Sequence, residues 1–407
     1  MEKRCQSIVL SCVVIGLILV NVIIFSGSKI VYGENSENNI ERNNINNSSN
    51  NKVSIESKSA ILMEGATGKI IYKKNPNERL NPASITKIMT LLLIYENLDN
   101  GKIKSSDKVT VSEHAASMGG SQVFLEPNEQ QSVETMIKCI SIASANDAAV
   151  AMAEHIGGSE EAFVNKMNKR AKELGMKDTH FVNCCGLDVE GHYSSAKDVA
   201  IMSKELITKH PEIIKYTTTW MDTITHTTRK GESEFGLTNT NKLVRTYKGI
   251  TGLKTGSTSL AKYCLSATAN RNEVDMIAVV MGAPDHKLRF MEASKLLDYG
   301  FGKCVKYEHT YKESKLKGIP VEKGVSKYVD GKVKSPFTYV YIDEKVKITN
   351  KKIINNVVAP IKSGDKIGVI EYFMNGKKIG ERDIVAKKGV READYIDYFS
   401  NILEDIF

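Results

Sequence analysis

A chain of 407 residues is long enough for two or three domains with a sizeable core. Its 41% hydrophobic and 26% charged content fit an ordinary globular protein. The formal net charge of +8 is mild. With no basic stripe interleaved with aromatics, nucleic acid is a poor partner, and the bias suits an anionic envelope surface.

Lys3 and Arg4 precede an uncharged apolar run from Ile8 to Phe25, then small residues and a cleavage-site pattern at Val31-Tyr32-Gly33. This predicts an export signal over 1–33. The run is also about as long as a short membrane span, so retention as an anchor stays open. Either way the remainder is expected outside the cytoplasm. Residues 34–52, dominated by Asn, predict a disordered spacer. Order is expected from Val53. Apolar runs Ala60 to Met63 and Lys69 to Tyr72 flank Gly65-Ala66-Thr67-Gly68, which predicts a hairpin. Pro82 precedes a helical run over 84–97, with Ile88, Leu91, Leu92 and Tyr95 on one face. Further helices are expected at 132–143, 147–156, 159–174 and 196–208. Strands follow at 250–255, 263–269 and 276–281, then a helix over 286–299. The sequence therefore predicts one α+β domain over 53–303, its sheet assembled from both ends of the segment.

From Cys304 the segments become short, Lys-rich and alternating, with strands expected at 338–342, 345–349, 366–372 and 378–384. Asn375-Gly376 signals a two-residue turn between the last two. A small all-β domain is expected over 304–388. Residues 389–407 close the chain with Tyr395, Ile396, Phe399, Ile402, Leu403 and Ile406 at helical spacing. Beyond the signal lie Cys139, Cys184, Cys185, Cys264 and Cys304, an odd and irregular set that argues against a disulfide framework. Neither the cysteines nor the eight histidines show metal-ligand spacing, so no metal or cofactor is expected.

Three short motifs carry chemistry: Ser84-Ile85-Thr86-Lys87, Ser144-Ala145-Asn146 and Lys254-Thr255-Gly256. Each is weak alone. Ser-x-x-Lys also begins at Ser26, Ser105, Ser194, Ser314 and Ser363, and Ser-x-Asn recurs at Ser36 and Ser49. The signal lies in the ordered set on a helix start, an interhelix loop and a strand. A serine hydroxyl needs a base, and a lysine serves only when its pKa is lowered by burial or a second cation. Ser84 is the expected nucleophile, with its own N–H as one oxyanion donor and Ser257 N–H as the second. Lys87 is the expected base and Lys254 the expected second cation. Ser144 is expected to relay a proton to the leaving amine, and Asn146 to orient a substrate amide and hold Lys87. Thr255 is expected to bond a substrate carboxylate, and Gly256 to permit close approach of an extended peptide.

These residues and their neighbours resemble the low-molecular-mass penicillin-binding proteins that act as D-alanyl-D-alanine carboxypeptidases. The resemblance runs through Ile61-Leu62-Met63-Glu64, Asn81-Pro82-Ala83-Ser84, Ser144-Ala145-Asn146-Asp147-Ala148, His192-Tyr193-Ser194-Ser195, Asn239-Thr240-Asn241 and Gly252-Leu253-Lys254. It implies a β-lactamase/transpeptidase-like α+β catalytic domain followed by a small all-β domain. It implies acylation of Ser84 by the penultimate D-Ala carbonyl of peptidoglycan stem peptides, and β-lactams as inhibitors. By position, Arg289 matches a family arginine that helps bind the terminal carboxylate.

Departures from the pattern are Ala145 for a frequent Gly, and Cys184-Cys185 where relatives often carry His or Ser. The final helix is also unusual, since Arg391 stands against Glu392, Asp394, Asp397, Glu404 and Asp405. An acidic helix is repelled by anionic lipid, which leaves two expectations open: peripheral membrane contact through its apolar face, or packing on the β domain. The rivals are a class A-like β-lactamase, for which no convincing Glu-x-x-x-Asn element is found, and a non-catalytic peptidoglycan-binding scaffold. The expected location is extracytoplasmic, secreted or on the outer face of the cytoplasmic membrane, at the cell wall.

Overall fold

The computed structural model describes residues 31–32, 53–342 and 346–404. The expected export signal, apart from Val31 and Tyr32, and the Asn-rich spacer lie outside the described residues. The described residues form two units: the first ends at Cys304, and the second begins at Val305 and includes Val31–Tyr32.

In the first unit β1 (Ser59–Glu64) and β2 (Ile70–Lys74) form the expected hairpin. A helical block follows: α1 (Lys87–Asp99), α2 (Val133–Lys138), α3 (Asn146–Gly157), α4 (Glu160–Glu173) and α5 (Ala196–Lys209). The chain then makes β3 (Met221–Thr228), β4 (Gly231–Thr238), β5 (Ile250–Thr258), β6 (Lys262–Arg271), β7 (Val274–Ala283) and α6 (Leu288–Lys303). Local sequence explains several helix starts. The hydroxyls of Ser132, Ser159 and Ser195 accept hydrogen bonds from the free first-turn N–H groups of α2, α4 and α5.

The main sheet runs β2-β1-β7-β6-β5 and is antiparallel throughout, so β1 closes against β7 from the far end of the unit. Strand alternation decides what each face meets. Ile61, Val279, Ser266 and Lys254 are cross-strand neighbours on one face, where Ser266 Oγ meets Ser203 Oγ of α5 at 2.8 Å. The other face carries Leu62 and Met276, which lie against Gly300 of α6. Lys254 therefore points toward the helical block.

Three local features differ from expectation. The helix expected over 132–143 ends at Lys138, and Cys139–Ala143 continues as a π-turn that stops at Ser144, in the left-handed region at φ 64°. The helix expected from Ser84 begins at Lys87, because Ala83–Thr86 form a 3₁₀ turn. The β3–β4 hairpin had no expected counterpart. Thr, Glu and Ser dominate it, and only Ile224, His226 and Leu237 are buried, too few to mark an apolar alternation.

In the second unit Gly331–Val333 forms β8, Phe337–Ile342 β9, Ile348–Ile354 β10, Lys366–Met374 β11 and Lys377–Ala386 β12. One antiparallel sheet runs Val31–Tyr32, β10, β11, β12, β8. Asn375 and Gly376 both take positive φ, 49° and 80°, the geometry of a tight hairpin turn. The strand expected over 345–349 lies later, because β10 pairs with β11 as far as Ile354. The core stacks Phe337 on Tyr372, with ring centroids 3.8 Å apart, beside Ile367, Ile370 and Ile384.

The final helix, α7 (Tyr395–Glu404), begins inside the expected 389–407 segment rather than at its start. Tyr395, Ile396 and Phe399 are 93%, 76% and 63% exposed, so these residues do not pack on the β domain.

Candidate active site

Pro82 leads into the 3₁₀ turn that carries Ser84, and Lys87 opens α1 directly after it. This brings the two side chains together on the inner side of the turn. Lys87 is fully buried. Its Nζ lies 3.0 Å from Ser84 Oγ, 2.5 Å from Asn146 Oδ1 and 2.8 Å from the Cys185 carbonyl oxygen. Two of these partners are carbonyl oxygens, which only accept. A neutral lysine has two N–H groups and one lone pair. In that form, with both N–H groups directed to Asn146 and Cys185, the lone pair would face Ser84, the one partner that has a proton to give.

Asn146 is anchored from the other side as well. Its Nδ2 donates to the Gly119 carbonyl at 2.6 Å, and its backbone N–H donates to Ser121 O at 2.7 Å. One amide N–H remains for a substrate. Asp147 accepts from the N–H groups of Val123 and Leu125, holding the 119–125 loop against the start of α3. Ser144 is buried and left-handed, two residues before Asn146. Its hydroxyl makes no hydrogen bond to another described residue.

The Cys184-Cys185-Gly186 loop forms the third wall around Lys87. Gly186 sits at φ 89°, and a Cβ there would fall 1.9 Å from the Ala83 carbonyl oxygen, so only glycine lets the loop close on the 3₁₀ turn. Thr90 Oγ1 donates to Cys184 O at 2.6 Å. Both thiols are free and buried. Behind the loop His192 Nδ1 accepts from Val182 N–H at 3.0 Å. Its proton is therefore on Nε2, which donates to Thr86 Oγ1 at 2.8 Å. Burial, then the charge of His180, brings the His192 pKa down to about 4, so the ring stays neutral. Thr86, Gly119 and the Cys185 carbonyl were not legible as site members, because their contribution is a backbone atom or a buried support.

Across the cleft, β5 is an edge strand of the main sheet. Lys254 is buried, with Nζ 3.2 Å from Thr255 O, and Thr255 Oγ1 bonds Thr240 Oγ1 at 2.7 Å. Gly256 faces the 3₁₀ turn: a Cβ there would lie 3.0 Å from the Ser84 backbone nitrogen and 2.9 Å from Pro82 O. A cavity of about 330 Å³ is lined by Ser257, Thr258, Ser259, Lys262 and Tyr263. Arg289 Nη1 donates to Gly256 O at 3.0 Å, and its guanidinium lies 4.8 Å from the Phe290 ring centroid. Its Nε is buried without a hydrogen-bond partner among the described residues.

Burial is the first cause that lowers the Lys87 pKa, opposed by the neighbouring acidic groups Cys185, Cys184 and Asp147. Lys254 is driven well below the usual lysine range, first by burial, then by Lys87 and Arg289. Lys254, the expected second cation, feels the charge of Lys87. Burial disfavours the charged form of both amines.

A family model described as D-alanyl-D-alanine carboxypeptidase matches residues 45–285, and one described as penicillin-binding protein 5, C-terminal domain, matches residues 306–392. The chain is 47% identical over 356 residues to D-alanyl-D-alanine carboxypeptidase DacF of Bacillus subtilis, covering 86% of this chain and 90% of that one. It is 32% identical over 357 residues to the DacA carboxypeptidase of Escherichia coli K12, covering 84% and 87%. The solved structure of penicillin binding protein 5 from Haemophilus influenzae matches with a TM-score of 0.64 at 32% identity, covering 84% of this chain and 100% of that one.

Proposed function

The chain belongs to the D-alanyl-D-alanine carboxypeptidase family, and on that premise we propose that Ser84 is its nucleophile and Lys87 the base that activates it. The protein is a serine hydrolase that removes the terminal D-Ala from peptidoglycan stem peptides. The observation that carries the residue assignment is the buried Lys87 amine, whose two other partners can only accept, 3.0 Å from Ser84 Oγ.

The sequence of events follows from these positions. Ser84 Oγ passes its proton to Lys87 Nζ and attacks the penultimate D-Ala carbonyl. The oxyanion is met by the N–H groups of Ser84 and Ser257. The C–N bond then breaks, and Lys87 returns the proton it took to the leaving D-Ala amine through Ser144, which makes no competing hydrogen bond among the described residues. Water hydrolyses the resulting ester, with Lys87 again accepting the proton. An extended stem peptide pairs with the free edge of β5. Lys254 and Thr255 face its terminal carboxylate, and Arg289 supports that end through Gly256 O. Asn146 uses its remaining N–H on the substrate peptide group.

β-Lactams acylate the same serine. The test is mass spectrometry after penicillin treatment of wild type and Ser84→Ala. An increment on wild type alone is expected; the same increment on both proteins removes Ser84 from its role. The β-lactamase rival needs a carboxylate to activate the deacylating water. The one Glu-x-x-x-Asn spacing between Asn146 and Lys254 runs from Glu161 to Asn165, and Glu161 is exposed on α4.

The site of action is extracytoplasmic, at the cell wall. No described helix is long and apolar enough to cross a membrane. The reading for α7 is peripheral seating through Tyr395, Ile396 and Phe399, with Arg391 drawn to Asp397 at 2.5 Å rather than to lipid. Binding to neutral vesicles that is lost in an Ile396→Asp/Phe399→Asp variant is the expected result. Retention by that double variant overturns it.

A further inference from the structure

We propose that Asp99, His210 and Glu212 form a binding site for a divalent transition-metal ion, remote from Ser84, that fastens the far end of α1 to the end of α5. One donor atom from each lies within 4.8 Å of the others. Among the described residues this is the one group of three or more such donors so close together. Asp99 is the last residue of α1, His210 follows the last residue of α5, and Glu212 sits in the 3₁₀ turn Pro211–Ile213.

The second observation is the state of His210. The residue is 5% exposed, and its ring is stacked on Tyr95 with centroids 5.7 Å apart and planes 25° from parallel. Its Nδ1 is 2.9 Å from Asp99 Oδ2, yet off the line a hydrogen bond needs, and it is buried with no hydrogen-bond partner among the described residues. The Tyr95 hydroxyl beside it is orphaned as well. Buried polar atoms are almost always satisfied, and an unsatisfied one calls for a missing group. A cation placed among the three donors takes the Nδ1 lone pair and draws the two carboxylates inward.

The donor set fixes the class of ion. One imidazole nitrogen with two carboxylate oxygens suits zinc and its neighbours, whereas magnesium and calcium prefer oxygen alone. Asp99 and Glu212 are exposed, so an ion enters from solvent and keeps water in its remaining positions. The 13 residues of α1 place the site about 20 Å from Lys87. At that distance the ion acts on stability and not on the acyl transfer. His210 and Glu212 are two residues apart but Asp99 lies 111 residues before the first of them, which is why the chain alone gave no hint of the cluster.

The experiment titrates the metal-stripped full chain with Zn²⁺ by calorimetry, and follows Co²⁺ by its visible spectrum. Wild type is expected to bind one equivalent, and its melting temperature to rise by about 5–10 °C at a hundredfold excess over Kd. Asp99→Asn and Glu212→Gln, both exposed positions, should each weaken binding more than about tenfold, and the double variant should abolish it. Ser84 acylation by a fluorescent penicillin should stay unchanged in these variants. Absence of stoichiometric binding by wild type overturns the proposal. Equal binding by the double variant also overturns it and points to the thiols.

Discussion

Gly256→Ala is the most informative single substitution, because it adds one carbon where two elements of the site meet. The new Cβ would lie 2.9 Å from Pro82 O and 3.0 Å from the backbone nitrogens of Ser84 and Ile85. All three neighbours are backbone atoms, so no side chain can swing aside. Ordinary contact begins at 3.4 Å, so β5 must retreat from the 3₁₀ turn by about 0.5 Å. The two proposed oxyanion donors ride on these two elements, Ser84 N–H on the turn and Ser257 N–H on the strand, so the gap between them opens by the same amount. A 1 Å displacement of reacting groups costs about a hundredfold in rate and loss of one donor about 10²–10³-fold; the expected drop in acylation is therefore about 10- to 100-fold. The Lys87–Ser84 contact lies on the turn and is retained. The assay is the second-order rate of acylation by a fluorescent penicillin, with near-UV circular dichroism and a melting curve to confirm that the variant is folded. A folded variant that acylates at the wild-type rate refutes the account of how turn and strand share the oxyanion.

Lys87→Met should lower acylation by about 10²–10⁴-fold, the usual contribution of a general base. With Lys87 as the proposed base the neutral amine is the active form, so the rate should rise with pH and level off below the 10.5 of a free lysine, because burial lowers the Lys87 pKa; a rate that still climbs at pH 10.5 contradicts this. His192 gives a separate pH signature. Its pKa falls from 6.5 in the unfolded chain to about 4 in the fold, so the unfolded state binds the proton first as pH drops. The stability this neutral ring supports is fully present above pH 6.5 and lost as pH falls toward 4, by about 3 kcal/mol. Denaturant melts of wild type and His192→Gln across this window should diverge accordingly; parallel curves would show that His192 does not titrate as described.

How much of this was legible in the sequence follows from the range of each signal. Periodicity is a local property, so α1, α3, α4, α5 and the strands β5 to β7 lie close to where their apolar spacing placed them. The Asn375-Gly376 turn was equally plain, since its chemistry sits in two adjacent residues. Ser84 and Lys87 were readable for the same reason: a turn and the first residue of a helix bring side chains three apart together. The β3–β4 hairpin was not, because its strands are polar and pair mainly with each other. Nor was the true end of α2, where the π-turn puts Ser144 in a left-handed conformation that no propensity announces.

The sequence by itself determined the helix and strand periods, the ordered motif set and the lysine beside the serine. Tertiary structure alone decided that Asn146 Oδ1 and the Cys185 carbonyl meet the buried Lys87 amine, that Gly186 closes on Ala83, and that Asp99 meets His210. The physical reason is that a hydrogen bond to a backbone carbonyl, or the loss of solvent around an amine, depends on which distant segments are packed nearby. That information is written in no one stretch of the chain.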